Sequence, residues 1–370
     1  MLILHVVGAR PNFMKVAPVY QALSRRSGVE QLLVHTGQHY DFNMSDVFFQ
    51  QLSIPAPDIN LEVGSGSHAQ QTAQIMSRFE PVVLERKPDL VLVYGDVNST
   101  VAAALVCSKL LTKVGHVEAG LRSFDRTMPE EINRLLTDQL SDLLFTPSAD
   151  GNQNLRREGI KEEKIHLVGN VMIDTLVRML PAAAAFAPPS SGKRYILVTL
   201  HRPSNVDDLP WLRSMIEALD EISREAEVIF PIHPRTRQRL AEAGAGSSGH
   251  GRVQLRDPAP YLEFLALEAH AALAITDSGG VQEETTYLGI PCLTVRENTE
   301  RPVTASMGTN RLVGRDINRI KAAAMEALDK SLKPPSPPPL WDGRAAERIA
   351  DVVVRYLGGA TKSESAGQTP

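Results

Sequence analysis

The feature that most constrains this chain is an alternation. Short runs of consecutive apolar residues are separated by segments whose apolar residues recur at helical spacing. The first series of runs is LILHVV (2–7), QLLVHT (31–36), LVLVY (90–94), VGHV (114–117), LLFT (143–146) and IHLVG (165–169). The second is YILVTL (195–200), VIFPI (228–232), VQLR (253–256), ALAIT (272–276) and PCLTV (291–295). Strands this apolar must be covered on both faces, which implies parallel sheets flanked by helices, an α/β fold. Residues 130–144 typify the covering segments, with Ile132, Leu135, Leu136, Leu140 and Leu143 at helical spacing. The two series are divided by PAAAAFAPPSSGKR (181–194), a linker by composition, and KPPSPPP (333–339) precedes a last helical pattern at 342–357.

A length of 370 residues exceeds what one core usually serves. The expected organisation is therefore two domains, 1–170 and 171–341. A C-terminal helix at 342–358 rejoins the first, and the tail at 359–370 is expected to be disordered.

Composition bears mainly on what can be excluded. A net charge of −4 without a long basic run argues against nucleic acid as a partner. No apolar stretch approaches the roughly 20 residues of a membrane helix. MLILHVVGARP reads as a first core strand, not a signal peptide, so the expected location is cytoplasmic. Cys107 and Cys292 both lie in apolar surroundings and read as buried thiols.

The conspicuous polar residues follow directly after the apolar runs. GARPNFMK, GQHYD, GDVNST and EAGLR do so in the first half, and HRPSN, HPR and DSGG in the second. In open parallel sheets a ligand lies at the carboxyl ends of the strands, so these loops are expected to line one cleft between the domains. ITDSGGVQEETTYLG (275–289) reads as strand, turn and helix. Two accounts of its glycines stand side by side: an anion site at a helix N-terminus, or ordinary capping by Asp277 or Ser278. Arg10 and Lys15 can serve an anion, although a helical lysine is more often simply solvated.

Among the acids, Glu118 beside the run VGHV needs a partner, for which Arg122 and Arg134 are candidates. Glu130 and Glu131 after Pro129 also suit a helix dipole. No metal spacing, Walker loop or GxGxxG fingerprint is present.

GARPNFMK, TGQHYD, YGDVNST, HVEAGLRSFDRTMPEEINR, GNVMIDT, HRPSNVD, DSGGVQEE and TERPVT, in that order, resemble the non-hydrolysing UDP-N-acetylglucosamine 2-epimerases over residues 3–357. The resemblance implies two Rossmann-like domains of glycosyltransferase-B type with the active site in the interdomain cleft. It also implies a homodimer and no metal or redox cofactor. Ser278, Gly279 and Gly280 would then hold the diphosphate, Glu284 the ribose hydroxyls, and Phe264 would lie beside the uracil. Arg301 would bind the nucleotide and His201 would contact the phosphates. Arg10, Lys15, Asp96, Glu118, Glu130 and Arg134 match the sugar and catalytic region. Gln38 and His39 fit a position where a second substrate molecule activates some relatives.

Two positions depart from the family pattern. Ser204-Asn205 stands where many members have Glu-Asn, and Ala259 where some have Gln. The implied reaction is elimination of UDP from UDP-N-acetylglucosamine to a 2-acetamidoglucal, then re-addition to give UDP-N-acetylmannosamine. Asp96, Glu118 and Glu130 are the candidate proton carriers, with base and acid unassigned. A glycosyltransferase of the same fold, a hydrolysing epimerase, a UDP-sugar sensor, or a 2-epimerase of a related UDP-sugar are the alternatives.

Overall fold

Most of the apolar runs become strands buried on both sides, whereas VQLR (253–256) is half-buried along its whole length. The computed structural model describes residues 1–38, 52, 54–186, 193–242, 253–329 and 336–365. The side chains of Arg10, Arg235 and residues 360–365, and the whole of His39, lie outside that description. The chain divides into two units, Met1–Thr175 with Pro339–Pro370, and Leu176–Pro338.

The first unit holds a seven-stranded sheet in the order β3-β2-β1-β4-β5-β6-β7. Its strands are β1 (Leu2–Val7), β2 (Glu30–His35), β3 (Ile59–Asn60), β4 (Leu90–Tyr94), β5 (Val114–Val117), β6 (Leu143–Thr146) and β7 (Ile165–Leu167). Every neighbouring pair is parallel, with β1 against both β2 and β4. Leu4, Val6, Val91 and Val93 pack under Ile75 and Phe79 of the helix His68–Arg86.

The second unit holds six parallel strands in the order β10-β9-β8-β11-β12-β13. They are β8 (Tyr195–Thr199), β9 (Glu227–Pro231), β10 (Val253–Arg256), β11 (Leu273–Thr276), β12 (Cys292–Thr294) and β13 (Asn310–Leu312). Ile196, Val198, Phe230 and Ile275 belong to its largest core cluster, under Leu212 and Leu219 of the helix Leu209–Ile222.

Strand order reverses between β1 and β4 in one sheet and between β8 and β11 in the other. Such reversals splay the flanking loops and open a crevice at the carboxyl ends. Asp96, His201 and Ser278 lie in the loops after these strands, and Arg10, Lys15, Gly279, Gly280 and Glu284 lie in the first turns of the helices that follow them.

Some boundaries differ from the sequence reading. The expected helix at 130–144 is Pro129–Leu140, and Leu143 belongs to β6: the chain turns extended at Ser141, ahead of the apolar run. Strands β3 and β13 are too short to show a periodicity of their own. The last helix, Ala345–Ser365, runs through Gly358-Gly359 into the expected tail. Its first amides, Ala345 N and Ala346 N, donate to Asp174 at 3.0 and 2.7 Å. Arg26 pairs with Asp351 at 2.5 Å, tying this helix to the helix Arg10–Ser24 that follows β1.

Candidate active site

In the first unit, the loops after β1, β4 and β5 converge. Asn12 draws the first loop together, accepting from Gly8 N and Ala9 N at 3.1 and 3.0 Å and donating to Tyr94 O at 2.8 Å. One turn later Lys15 is buried, its ammonium in direct contact with the Glu118 carboxylate, also buried. The solvated reading of Lys15 is thus corrected. So are the arginines considered for Glu118: a lysine from the neighbouring loop pairs with it instead. Arg122 grips Glu158 at 2.8 and 2.6 Å, and Arg134 grips Glu131 and Asp96, each at 2.5 Å. The contact between Lys15 and Glu118 is allowed by Gly95, where an added Cβ would lie 2.7 Å from the Lys15 Nζ. Glu118 itself has φ +74°, a left-handed conformation that costs a non-glycine residue about 1–3 kcal/mol and clusters at functional sites.

The two glutamates of the next helix separate cleanly. Glu131 is buried and accepts from Ser123 N, Ser123 Oγ and Phe124 N at 2.9–3.0 Å, so it holds the loop before it. The side chain of half-buried Glu130 makes no hydrogen bond or ion pair to any described residue. Asp96 keeps a side chain 28% exposed, and its carbonyl accepts from Asn133 at 2.9 Å. One edge thus presents a strained glutamate beside an ammonium, an aspartate beside a guanidinium, and an unpaired glutamate. These are groups able to take and give protons. Arg10 opens its helix after β1. Buried Gln38 accepts from Ser99 Oγ at 2.7 Å.

In the second unit, of the two caps considered at the turn after β11 Ser278 takes the position and Asp277 does not. Ser278 occupies the N-cap position of the helix Gly279–Leu288 but makes no side-chain cap bond. Asp277, fully buried, turns to the β8 loop. It accepts from Arg202 N and Asn205 Nδ2 at 3.0 Å, from His201 N at 3.1 Å, and lies 3.0 Å from His201 Nδ1. Burial alone would raise its pKa, but His201 and the donors around it outweigh that and hold it below the usual aspartate range. The helix N-terminus is left with unsatisfied amides, the condition for anion binding.

Beside it lies a cluster of paired charges that includes two arginines. Arg301 reaches Glu283 at 2.8 Å and Glu300 at 2.5 Å, and Arg296 reaches Glu300 at 2.7 Å. Despite burial, the two guanidiniums hold the Glu300 carboxyl well below its ordinary value. At Gly279 a Cβ would meet the Arg301 guanidinium at 2.5 Å, whereas at Gly280 nothing lies closer than Ser278 Oγ at 4.0 Å. Packing explains the first glycine and leaves the second to something that approaches the backbone from outside.

The adjacent glutamates face different ways, as neighbours on a helix do. Glu283 takes Arg301, and Glu284 accepts from Tyr261 at 2.7 Å. Burial pushes Glu284 up, and more strongly its neighbour Glu268. Phe264 is half-buried against Ala274, Val281 and Cys292. His201 has a side chain 56% exposed. Sequence reasoning missed Asn12, Tyr261, Glu268 and Arg296, and gave Asp277 the wrong partner. Of these, Asn12 in GARPNFMK and Arg296 after PCLTV had a visible signal, each following an apolar run. Among the described residues no cluster of His, Cys, Asp and Glu could hold a metal ion, and no helix is long and apolar enough to cross a membrane.

The family model described as UDP-N-acetylglucosamine 2-epimerase matches residues 21–354. The UDP-N-acetylglucosamine 2-epimerase of Methanocaldococcus jannaschii is 43% identical, covering 94% of this chain and 97% of its own. The UDP-2,3-diacetamido-2,3-dideoxy-D-glucuronate 2-epimerase of Pseudomonas aeruginosa is 44% identical, covering 96% and 100%. The crystal structure of the M. jannaschii enzyme in complex with UDP-GlcNAc and UDP superposes with a TM-score of 0.86 at 41% identity, covering 96% of this chain and 100% of that one.

Proposed function

Since the chain belongs to the UDP-N-acetylglucosamine 2-epimerase family and is an isomerase, we propose that it interconverts UDP-N-acetylglucosamine and UDP-N-acetylmannosamine. The observation that carries this reading is the contrast between the two sheet edges. Carboxylates able to move protons gather on one, and an uncapped helix N-terminus with Arg301 beside it lies on the other.

In this reading the amides of Gly279 and Gly280 with Arg301 and His201 take the diphosphate, Ser278 adds a hydroxyl, and Glu284 takes the ribose. Phe264 lies beside the base. Arg10, Lys15 and Arg134 bear on the sugar side. The C1–O bond breaks with its electron pair passing to the departing UDP, whose negative charge the amides and guanidinium stabilise. Positive charge growing at C1 acidifies the C2 hydrogen, a carboxylate among Asp96, Glu118 and Glu130 takes it, and the C1–C2 double bond of a glycal forms. A second acid of that set delivers a proton to the opposite face of C2, and the UDP oxygen re-adds to C1. A homodimer, and work in the cytoplasm, accompany this proposal.

Proton NMR in D2O with UDP-N-acetylglucosamine and no added cofactor tests it. The manno isomer is expected with one solvent deuterium at C2. Retention of the original hydrogen in the product, or release of free sugar, refutes the mechanism. A second reading has support from the P. aeruginosa relative, whose identity matches that of the UDP-N-acetylglucosamine enzymes. In it, the substrate is a UDP-2,3-diacetamido-uronic sugar. Supplying both sugars to the same assay separates the two.

A further inference from the structure

Asp138 lies on the helix Pro129–Leu140, which also carries Glu130, Glu131 and Arg134, and it is completely buried. Its carboxylate is the hub of the loop that holds Glu118. Oδ1 faces His116 Nδ1 at 2.6 Å, two residues before Glu118. Oδ2 accepts from Gly120 N at 3.1 Å, two residues after it, and forms an ion pair with Arg122 Nη2 at 2.6 Å. The far nitrogen of His116, Nε2, donates to Gly95 O at 2.8 Å, the residue before Asp96. A single buried group therefore holds the side chain two residues before the strained glutamate and the amide two residues after it and, through one ring, the residue next to the candidate aspartate.

The hydrogen bonds also fix where protons sit. A carbonyl only accepts, so Nε2 carries a hydrogen. The Gly120 amide donates to the carboxylate and the Arg122 guanidinium pairs with it, which favours its ionised form, so Nδ1 carries the second hydrogen. His116 is then an imidazolium, fully buried. With Arg122 it makes two cations, and Asp138 with Glu158 makes two anions, a closed set that leaves no charge uncompensated.

Resting on the epimerase reading above, we propose that Asp138 is a positioning residue: by keeping His116 doubly protonated between itself and Gly95, and by holding Gly120, it aligns Glu118 and Asp96 for proton transfer at C2. It touches no substrate. A reacting group displaced by about 1 Å can cost about 10²-fold in rate, so the consequence belongs in turnover and not in binding.

The test uses the full chain and Asp138→Asn, which keeps shape while removing the charge. With UDP-N-acetylglucosamine, kcat is expected to fall about 10²-fold, with KM and UDP affinity within about twofold of the parent. The ring 15N signals of His116 are identified by their absence in His116→Gln. In the parent they should show both nitrogens protonated, and in Asp138→Asn a neutral ring. If Asp138→Asn does not fold, His116→Gln takes its place in the kinetics with the same expected split. Folded Asp138→Asn with kcat within about twofold of the parent overturns the proposal, as does a fall in kcat/KM carried by KM alone. A ring that keeps both hydrogens in the variant overturns it as well. Should the parent turn over neither UDP-sugar, it is the epimerase reading that fails, and the 15N comparison still decides what Asp138 does to His116.

Discussion

The two sheet edges are built alike and finished differently. Each lies where strand order reverses, and each is knitted by one fully buried aspartate, Asp138 in the first unit and Asp277 in the second. In the first unit the loops are forced into left-handed backbone at Gly95, Glu118 and Gly120, with φ of +64°, +74° and +79°. In the second unit, the described loops after β8 and β11 have no positive φ at all. Holding an anion needs only amides that a helix start already aims, whereas proton transfer needs a carboxylate set at a chosen angle against its own preference. Strain sits at Glu118, on the edge that would do chemistry, while the described loops after β8 and β11 on the edge that would only bind carry none.

The sharpest way to break this comparison is Glu118→Gln. Turnover is expected to fall about 10³-fold, the scale of a lost acid–base group, while UDP affinity by calorimetry stays within a few-fold. Parallel loss of both would mean that the edges are not separate in function.

Next is Asp277→Asn, which places an amide NH2 against backbone donors. A loss of about 2 kcal/mol in urea unfolding at pH 7 is expected. The sign with pH follows from the depressed Asp277. Its contribution is fully present above the ordinary aspartate value of 3.8 and is lost as pH falls through the lower folded-state value. The parent should therefore lose stability on acidification below about pH 4, more steeply than the variant. Equal slopes would take Asp277 out of the knitting role.

The smallest effect sharpens the binding edge. Gly280→Ala meets no protein atom closer than 4.0 Å, so melting should be unchanged. UDP affinity should nonetheless fall about tenfold as the methyl displaces a phosphate from the amides, a loss on the scale of one small steric change. Unaltered affinity would mean that no ligand uses that space.

Much of this was legible in the residues. Apolar runs locate the strands because a doubly covered sheet leaves no polar alternation to blur them. The polar loops after those runs locate the site because ligands in such sheets sit at strand ends. What stayed hidden were partnerships. Nothing in the sequence says that Glu118 meets Lys15 and not an arginine, since the choice depends on β1, β4 and β5 lying side by side. Nor does it say which of Glu130 and Glu131 is occupied, because a dipole argument treats both alike and only the path of residues 121–128 separates them. Asp277 looked like a cap because capping is local, and its real partners come from a loop more than seventy residues away in sequence.

The conformation of Glu118 carries a consequence for anyone who would engineer this chain. Only glycine is at ease with that backbone angle, and glycine has no carboxyl to offer. Screening variants for heat resistance alone therefore favours glycine there, accompanied by an uncharged residue at 15 so that no ammonium is stranded. Such proteins would be sturdier and inert, and a library filtered first on melting temperature would discard the native residue before activity was ever assayed.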